Sequence, residues 1–134
     1  MSILKVDNIR DNGSGFNDVV SFQNVNGTEN GRLCRAFVNF NGQGAVAIRA
    51  NFNVNSITDN GTGDYTINHA NSMSDANYSV SMMNSYAADS GGWPAIFTGL
   101  SRHTINAGSF RIQNGAGNSG TLFDSEVLVT ATFR

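Results

Sequence analysis

Asp59-Asn60-Gly61-Thr62-Gly63-Asp64 sets two carboxylates around amide, hydroxyl and backbone oxygens. That is the donor set of a hard cation such as calcium. The spacing departs from an EF-hand, whose twelfth position falls on Ala70. A hairpin loop whose Asn and Asp side chains hydrogen-bond the backbone explains the same residues. His69 and His103 are the only imidazoles, and neither has a Cys or carboxylate at zinc spacing. No metal and no cofactor is expected. Asn114 to Gly120 is glycine-rich but lacks the lysine and the following helix that phosphate cradling needs, and reads as a mobile loop. No Gly-x-Ser-x-Gly elbow is present. Asp75, Asp89, Asp124 and Glu126 are the carboxylates from which a glycan-cleaving pair would be drawn, but such pairs usually sit on much larger scaffolds. The expectation is a protein that is not an enzyme.

The segment best suited to binding is Tyr86-Ala87-Ala88-Asp89-Ser90-Gly91-Gly92-Trp93-Pro94, which holds the only Trp and the only Pro. Aromatic side chains on loops stack on sugar rings and anchor protein contacts. Tyr86, Asp89 and Trp93, with Asn118 from the glycine-rich loop, form the expected recognition site. Trp93 has a second reading of equal weight, as a cover for the edge of the fold, because tryptophans are usually mostly buried.

The elements that position these residues alternate with a period of two. Ala36, Val38 and Phe40 share one face of a strand; Val46, Ile48, Ala50, Phe52 and Val54 share one face of the next; Asn41-Gly42-Gln43-Gly44 turns between them. Arg49, Asn51, Asn53 and Asn55 then face water. Further strands follow around Tyr65 and Ile67, Tyr78 to Met82, Ala95 to Leu100, Ser109 to Gln113 and Val127 to Phe133. Ala70 to Ala76 has room for one helical turn. Both faces of the last strand carry apolar or β-branched residues, as in a strand covered on both sides. Short strands with Gly and Asn turns predict an all-β fold, an antiparallel β-sandwich with a short N-terminal extension. Residues 1–31 are read as a stem or attachment segment, with Asn24 to Gly31 as a loop, and residues 32–134 as the sandwich domain. The expected core is Phe40, Val46, Ile48, Phe52, Val54, Tyr65, Ile67 and Val80.

The 134 residues suit one domain, with 40% apolar and only 13% charged residues. A net charge of −2 argues against nucleic acid and an anionic membrane as partners. Cys34 is the only cysteine, so no disulfide forms within the chain. No apolar run is long enough to span a membrane. Lys5 and Asp7 follow Ile3 and Leu4 at once, which is unlike a signal peptide and predicts a chain made in a cytosol.

Val38-Asn39-Phe40-Asn41-Gly42, Val46-Ala47-Ile48-Arg49, Phe52-Asn53-Val54, Ser56 to Thr66 and Ala76-Asn77-Tyr78 together resemble a domain of bacteriophage tail fibres and other tail proteins, especially of phages of marine cyanobacteria. Leu4-Lys5-Val6-Asp7-Asn8-Ile9 is similar to the start of many such proteins. The resemblance implies a virion protein of the tail, assembled in the host cytoplasm, with a host-attachment role. It implies a homotrimer whose partners are other tail proteins and a host cell-surface glycan or protein. The alternatives are a structural adaptor without receptor binding and a glycan-degrading tailspike-like enzyme.

Overall fold

The computed structural model describes residues 19–24, 27–85, 96–117 and 120–134. All ten of its elements are strands: β1 (Val19–Asn24), β2 (Gly27–Arg32), β3 (Cys34–Asn41), β4 (Ala47–Phe52), β5 (Val54–Gly61), β6 (Asp64–His69), β7 (Ser79–Asn84), β8 (Ile96–Asn106), β9 (Ser109–Ala116) and β10 (Leu128–Phe133). The chain divides into Met1–Leu33 and Cys34–Arg134. In the first unit β1 and β2 pair antiparallel, from Val19 opposite Arg32 to Asn24 opposite Gly27. The sequence reading made β2 a loop, because Gly-Thr-Glu-Asn-Gly has no apolar alternation to mark a strand.

The second unit is a β-sandwich of two antiparallel four-stranded sheets, packed together. One has the order β4-β3-β10-β7, the other β5-β6-β9-β8. Hairpins β3–β4, β5–β6 and β8–β9 stay within a sheet, and the remaining connections change sheet. Between the sheets lie Ala36, Val38, Phe40, Val54, Tyr65, Ile67, Met73, Tyr78, Phe110, Ile112 and Leu128, all buried. The Phe40 and Tyr65 rings meet edge to face across this layer, with centroids 5.2 Å apart. That is the geometry which sets a positive ring edge against a negative ring face.

Four of the expected core residues, Phe40, Val54, Tyr65 and Ile67, are buried, and Val46 and Val80 are partly buried against them. Ile48 and Phe52 are not core: they are 38% and 55% exposed. Two local features break the period of two. The pairing jumps from Asn39 opposite Ala50 to Phe40 opposite Ile48, which leaves Arg49 as a bulge. A bulge adds one residue and turns every later side chain to the other face. Asn51 therefore opposes the inward Val38, and Phe52 opposes the outward Phe37. Asn53 then takes a left-handed φ of 52° where the chain passes from one sheet to the other. Its side chain is half-buried rather than in water. Nδ2 donates to the Arg35 and Asn71 carbonyls at 3.1 and 3.0 Å, and Oδ1 accepts from the Asn71 amide at 2.7 Å. Asparagine suits this corner because it tolerates the left-handed region and bonds nearby backbone.

Residues 70–78 are extended and bent rather than helical, and they carry Met73 and Tyr78 into the core. Backbone pairing outcompetes the helical turn there: the Met73 amide donates to Ala107 O at 2.8 Å. No helix among the described residues is long and apolar enough to cross a membrane.

Candidate functional site

Strand alternation gives each sheet an outer face, and the two differ in kind. On the β5-β6-β9-β8 sheet, Tyr65, Ile67, Phe110 and Ile112 point inward, so Asp64, Thr66, Asn68, Arg111 and Gln113 point outward in register. Asp64 pairs with Gln113 and Thr66 with Arg111 across β6 and β9. The Asp64 side chain is only 10% exposed although it sits on an outer face. Arg111 clamps it, Nε to Oδ1 at 2.6 Å and Nη2 to Oδ2 at 2.8 Å. Gln113 Nε2 adds a bond to Oδ2 at 3.1 Å, and Asn60 Nδ2 one to Oδ1 at 3.4 Å. These donors, Arg111 first, hold the Asp64 carboxyl below the usual carboxylate range against the upward push of burial.

The network continues along the face. Asn60 Nδ2 donates to Thr66 Oγ1 at 2.9 Å, and Asn68 Nδ2 donates to Ser56 Oγ and Thr58 Oγ1 at 3.2 and 3.1 Å. Each amide nitrogen is committed, while the Asn60 and Asn68 carbonyl oxygens and Arg111 Nη1 make no hydrogen bond among the described residues. Among the described residues the face is a fixed array with its charges cancelled and its outer donors and acceptors turned to solvent.

The outer face of the β4-β3-β10-β7 sheet is mainly apolar, with Asn39 and Ser81 as polar members. Phe37, Phe52 and Met83 are 39%, 55% and 71% exposed, and Ala50, Val129, Ala131 and Phe133 share their side of the sheet. Phe37 and Phe52 stack with centroids 6.3 Å apart. The inward side of β10 instead carries Leu128, Thr130 and Thr132, with both threonines 1% exposed. β10 is thus central in its sheet, with the more apolar of its two sides facing outward.

Behind the two faces, a buried polar network ties residues 121–127 to both sheets. The Tyr65 hydroxyl donates to Asp124 Oδ1 at 2.5 Å and lies 3.1 Å from the Gly42 carbonyl oxygen. Burial, then the neighbouring Asp124 carboxylate, pushes the Tyr65 hydroxyl well above its usual range. Asp124 Oδ1 also accepts from the Gly63 amide at 2.7 Å. Gly63 has φ 65°, and a Cβ there would overlap the Asn114 and Phe123 backbone, so glycine is required. Asn114, fully buried, donates to Phe123 O at 2.7 Å and Ser125 Oγ at 2.9 Å and accepts from Asn84 Nδ2. Here the sequence reading is corrected. Asn114 looks like loop in Asn-Gly-Ala-Gly-Asn, but β9 runs on to Ala116, and Asn114 is the hub that joins the last crossover to the sheet.

Tyr86, Asp89, Trp93 and Asn118 all lie outside the described residues. Asp59 and Asp64 do not converge: Asp59 Oδ1 accepts from the Gly61 amide at 2.9 Å, as a hairpin turn does, while Asp64 belongs to Arg111. Asp75 pairs with Arg134, Asp124 with Tyr65, and Glu126 with Arg49 at 3.4 Å, so these carboxylates are dispersed among separate partners. His69 lies in the core between Tyr78 and Phe110, with ring centroids 5.7 and 5.6 Å away. Its Nδ1 is 3.4 Å from the Ala107 carbonyl oxygen, and its buried Nε2 has no partner among the described residues. Burial lowers its pKa from the ordinary 6.5. Among the described residues, no group of three or more His, Cys, Asp or Glu is placed to hold a metal ion.

Sequence reasoning missed the Asp64–Arg111 pair. The alternation Ser109-Phe110-Arg111-Ile112-Gln113 already puts Arg111 and Gln113 on a polar face, but nothing local says that β9 lies beside β6. Compared with known protein families, curated proteins and solved structures, the chain matches none.

Proposed function

We propose that this chain is a non-enzymatic virion protein of a phage tail, a fibre or fibre-tip domain that assembles with copies of itself and attaches to the host surface. The observation that carries the reading is the contrast between the outer faces of the sandwich. One is a polar, charge-balanced array suited to display; the other is charge-poor and apolar, suited to burial against protein. The tail-protein resemblance of Val38 to Tyr78 supports the virion assignment, and the three-fold habit of such proteins supports a homotrimer. The second copy is favoured as the cover for the apolar face because Phe37, Phe52 and Met83 are exposed together on it, while the bulged, charged Arg49 guards the β4 edge against strand pairing.

Two experiments test the reading. Light scattering at micromolar concentration should give three times the chain mass, and a clean monomer would remove the trimer. Adding the protein to a panel of marine cyanobacterial strains should label some cells without releasing oligosaccharide. Labelling of none favours a structural adaptor, and released oligosaccharide favours an enzyme.

A further inference from the structure

We infer that the outer face of the β5-β6-β9-β8 sheet is a binding site for a neutral, polyhydroxylated saccharide, centred on Asn60, Asp64, Thr66, Asn68, Arg111 and Gln113. The inference rests on the reading of the chain as a host-recognition protein and places its contact surface on a sheet rather than on loops. Three observations carry it.

The first is preorganisation. Asp64 is nearly buried, and donors from Arg111, Gln113 and Asn60 satisfy a charge that water scarcely reaches. The enclosure also fixes Arg111. With Nε and Nη2 committed to the carboxylate, the guanidinium plane is set and Nη1 is presented at a defined place. Asn60 and Asn68 are fixed in the same way, by amide nitrogens bonded to their neighbours, with their carbonyl oxygens outward. A ligand then meets a surface whose side-chain entropy is already spent.

The second is the kind of groups. Arg111 offers donors; Asn60, Asn68 and Gln113 offer acceptors; Thr66 offers a hydroxyl that does both. They lie about 4.8 Å apart across strands and about 6.6 Å apart along them, on the pleated-sheet spacing. Sugar hydroxyls also donate and accept, and a chain of rings can follow such rows.

The third is what the face lacks. Among its described outward side chains Asp64 and Arg111 carry the charges and cancel, and the chain as a whole is at −2, which gives little attraction for phosphate or nucleic acid. Among the described outward side chains of β5, β6 and β9 none is an aromatic or large apolar anchor of the sort that dominates protein–protein contacts. A single site of this type is weak, and several copies on one particle raise the avidity.

The test uses the full chain on an array of purified bacterial surface polysaccharides, with adsorption to the cyanobacterial panel measured in parallel. Asn60→Ala with Thr66→Val removes an acceptor and a hydroxyl and leaves Asp64 clamped by Arg111. It should lower polysaccharide binding at least tenfold while the melting temperature stays close to wild type. Arg111→Lys keeps the charge, loses the fork, and should weaken binding similarly. If the double variant also melts low, Arg111→Lys decides. Wild-type-like binding by the folded variants overturns the site while leaving host recognition standing. Adsorption of the wild type to cells, with no polysaccharide bound, overturns the saccharide and leaves host recognition standing. Binding to neither overturns both.

Discussion

The sandwich has two outer faces built by the same alternation, and they have opposite character. On β6 and β9 the apolar side chains went inward and left Asp64, Thr66, Asn68, Arg111 and Gln113 outside. On β3, β4 and β10 apolar residues lie on both sides, and Phe37, Phe52 and Phe133 remain outside over buried Thr130 and Thr132. A strand with one apolar side has a single satisfactory orientation. A strand with two leaves the choice to its neighbours, and the second apolar side becomes surface that a partner can cover. The face that needs no protein cover is the one whose side chains bond one another and leave their remaining polar groups to solvent.

The largest effect should come from the core that both faces share. Phe110→Ala removes a fully buried ring from beneath the polar face and should cost about 3–5 kcal/mol in chemical denaturation. A cost near zero would mean that the sheets do not pack through this layer.

The corner between the sheets ranks next. Asn53→Ala loses side-chain bonds to Arg35 and Asn71 and places a β-carbon in left-handed backbone without compensation, for about 2–3 kcal/mol. Phe52→Ala, beside it but outward, should cost about 1 kcal/mol or less. The reverse order would restore the unbroken alternation, with Phe52 inside and Asn53 in water.

This pair of residues also shows what the sequence could tell. Asn-Gly turns and alternating apolar residues made the sandwich and the β3–β4 hairpin legible, but they read Val46 to Val54 as one strand where the chain breaks at Asn53 into β4 and β5. The bulge at Arg49 was not legible, because it depends on where β4 meets β3 rather than on β4 alone. Asn53 was misread because an asparagine at a left-handed corner looks like one more polar residue in a series. Asn114 was hidden by the glycines that follow it, Gly115 and Gly117, and the Asp64–Arg111 pair by its separation along the chain. The loop residues Tyr86, Asp89 and Trp93 were chosen for composition, whereas the polar face emerges only once β6 and β9 are side by side.

A smaller, pH-dependent effect should come from His69. Its imidazole is buried and favours the neutral form, so its folded pKa lies below the unfolded value of 6.5. Stability is therefore full above about pH 6.5 and falls as the pH drops below it, because only the unfolded chain protonates readily. The melting temperature of the wild type should fall more between pH 7 and pH 5 than that of His69→Phe. Equal falls would show that His69 is solvated or partnered. Asp64, whose pKa is also lowered, adds loss only in more acidic solution, below about its ordinary value of 3.8.

The smallest effects on stability should come from the faces themselves. Asn68→Ala and Phe37→Ser should each change it by about 0.5 kcal/mol or less, yet they should act on different properties. Phe37→Ser should reduce the mass seen in light scattering and leave polysaccharide binding per chain unchanged. Asn68→Ala should do the opposite. Loss of both properties in either variant would merge the two faces into one function.

The most direct measurement is a backbone-amide NMR shift map of the protein titrated with the polysaccharide that binds best on the array. Shifts should concentrate at residues 56–68 and 109–113, with the apolar face unchanged. Shifts concentrated at Phe37, Phe52, Val129 and Ala131, or at residues 86–95, would contradict the assignment of recognition to the polar sheet.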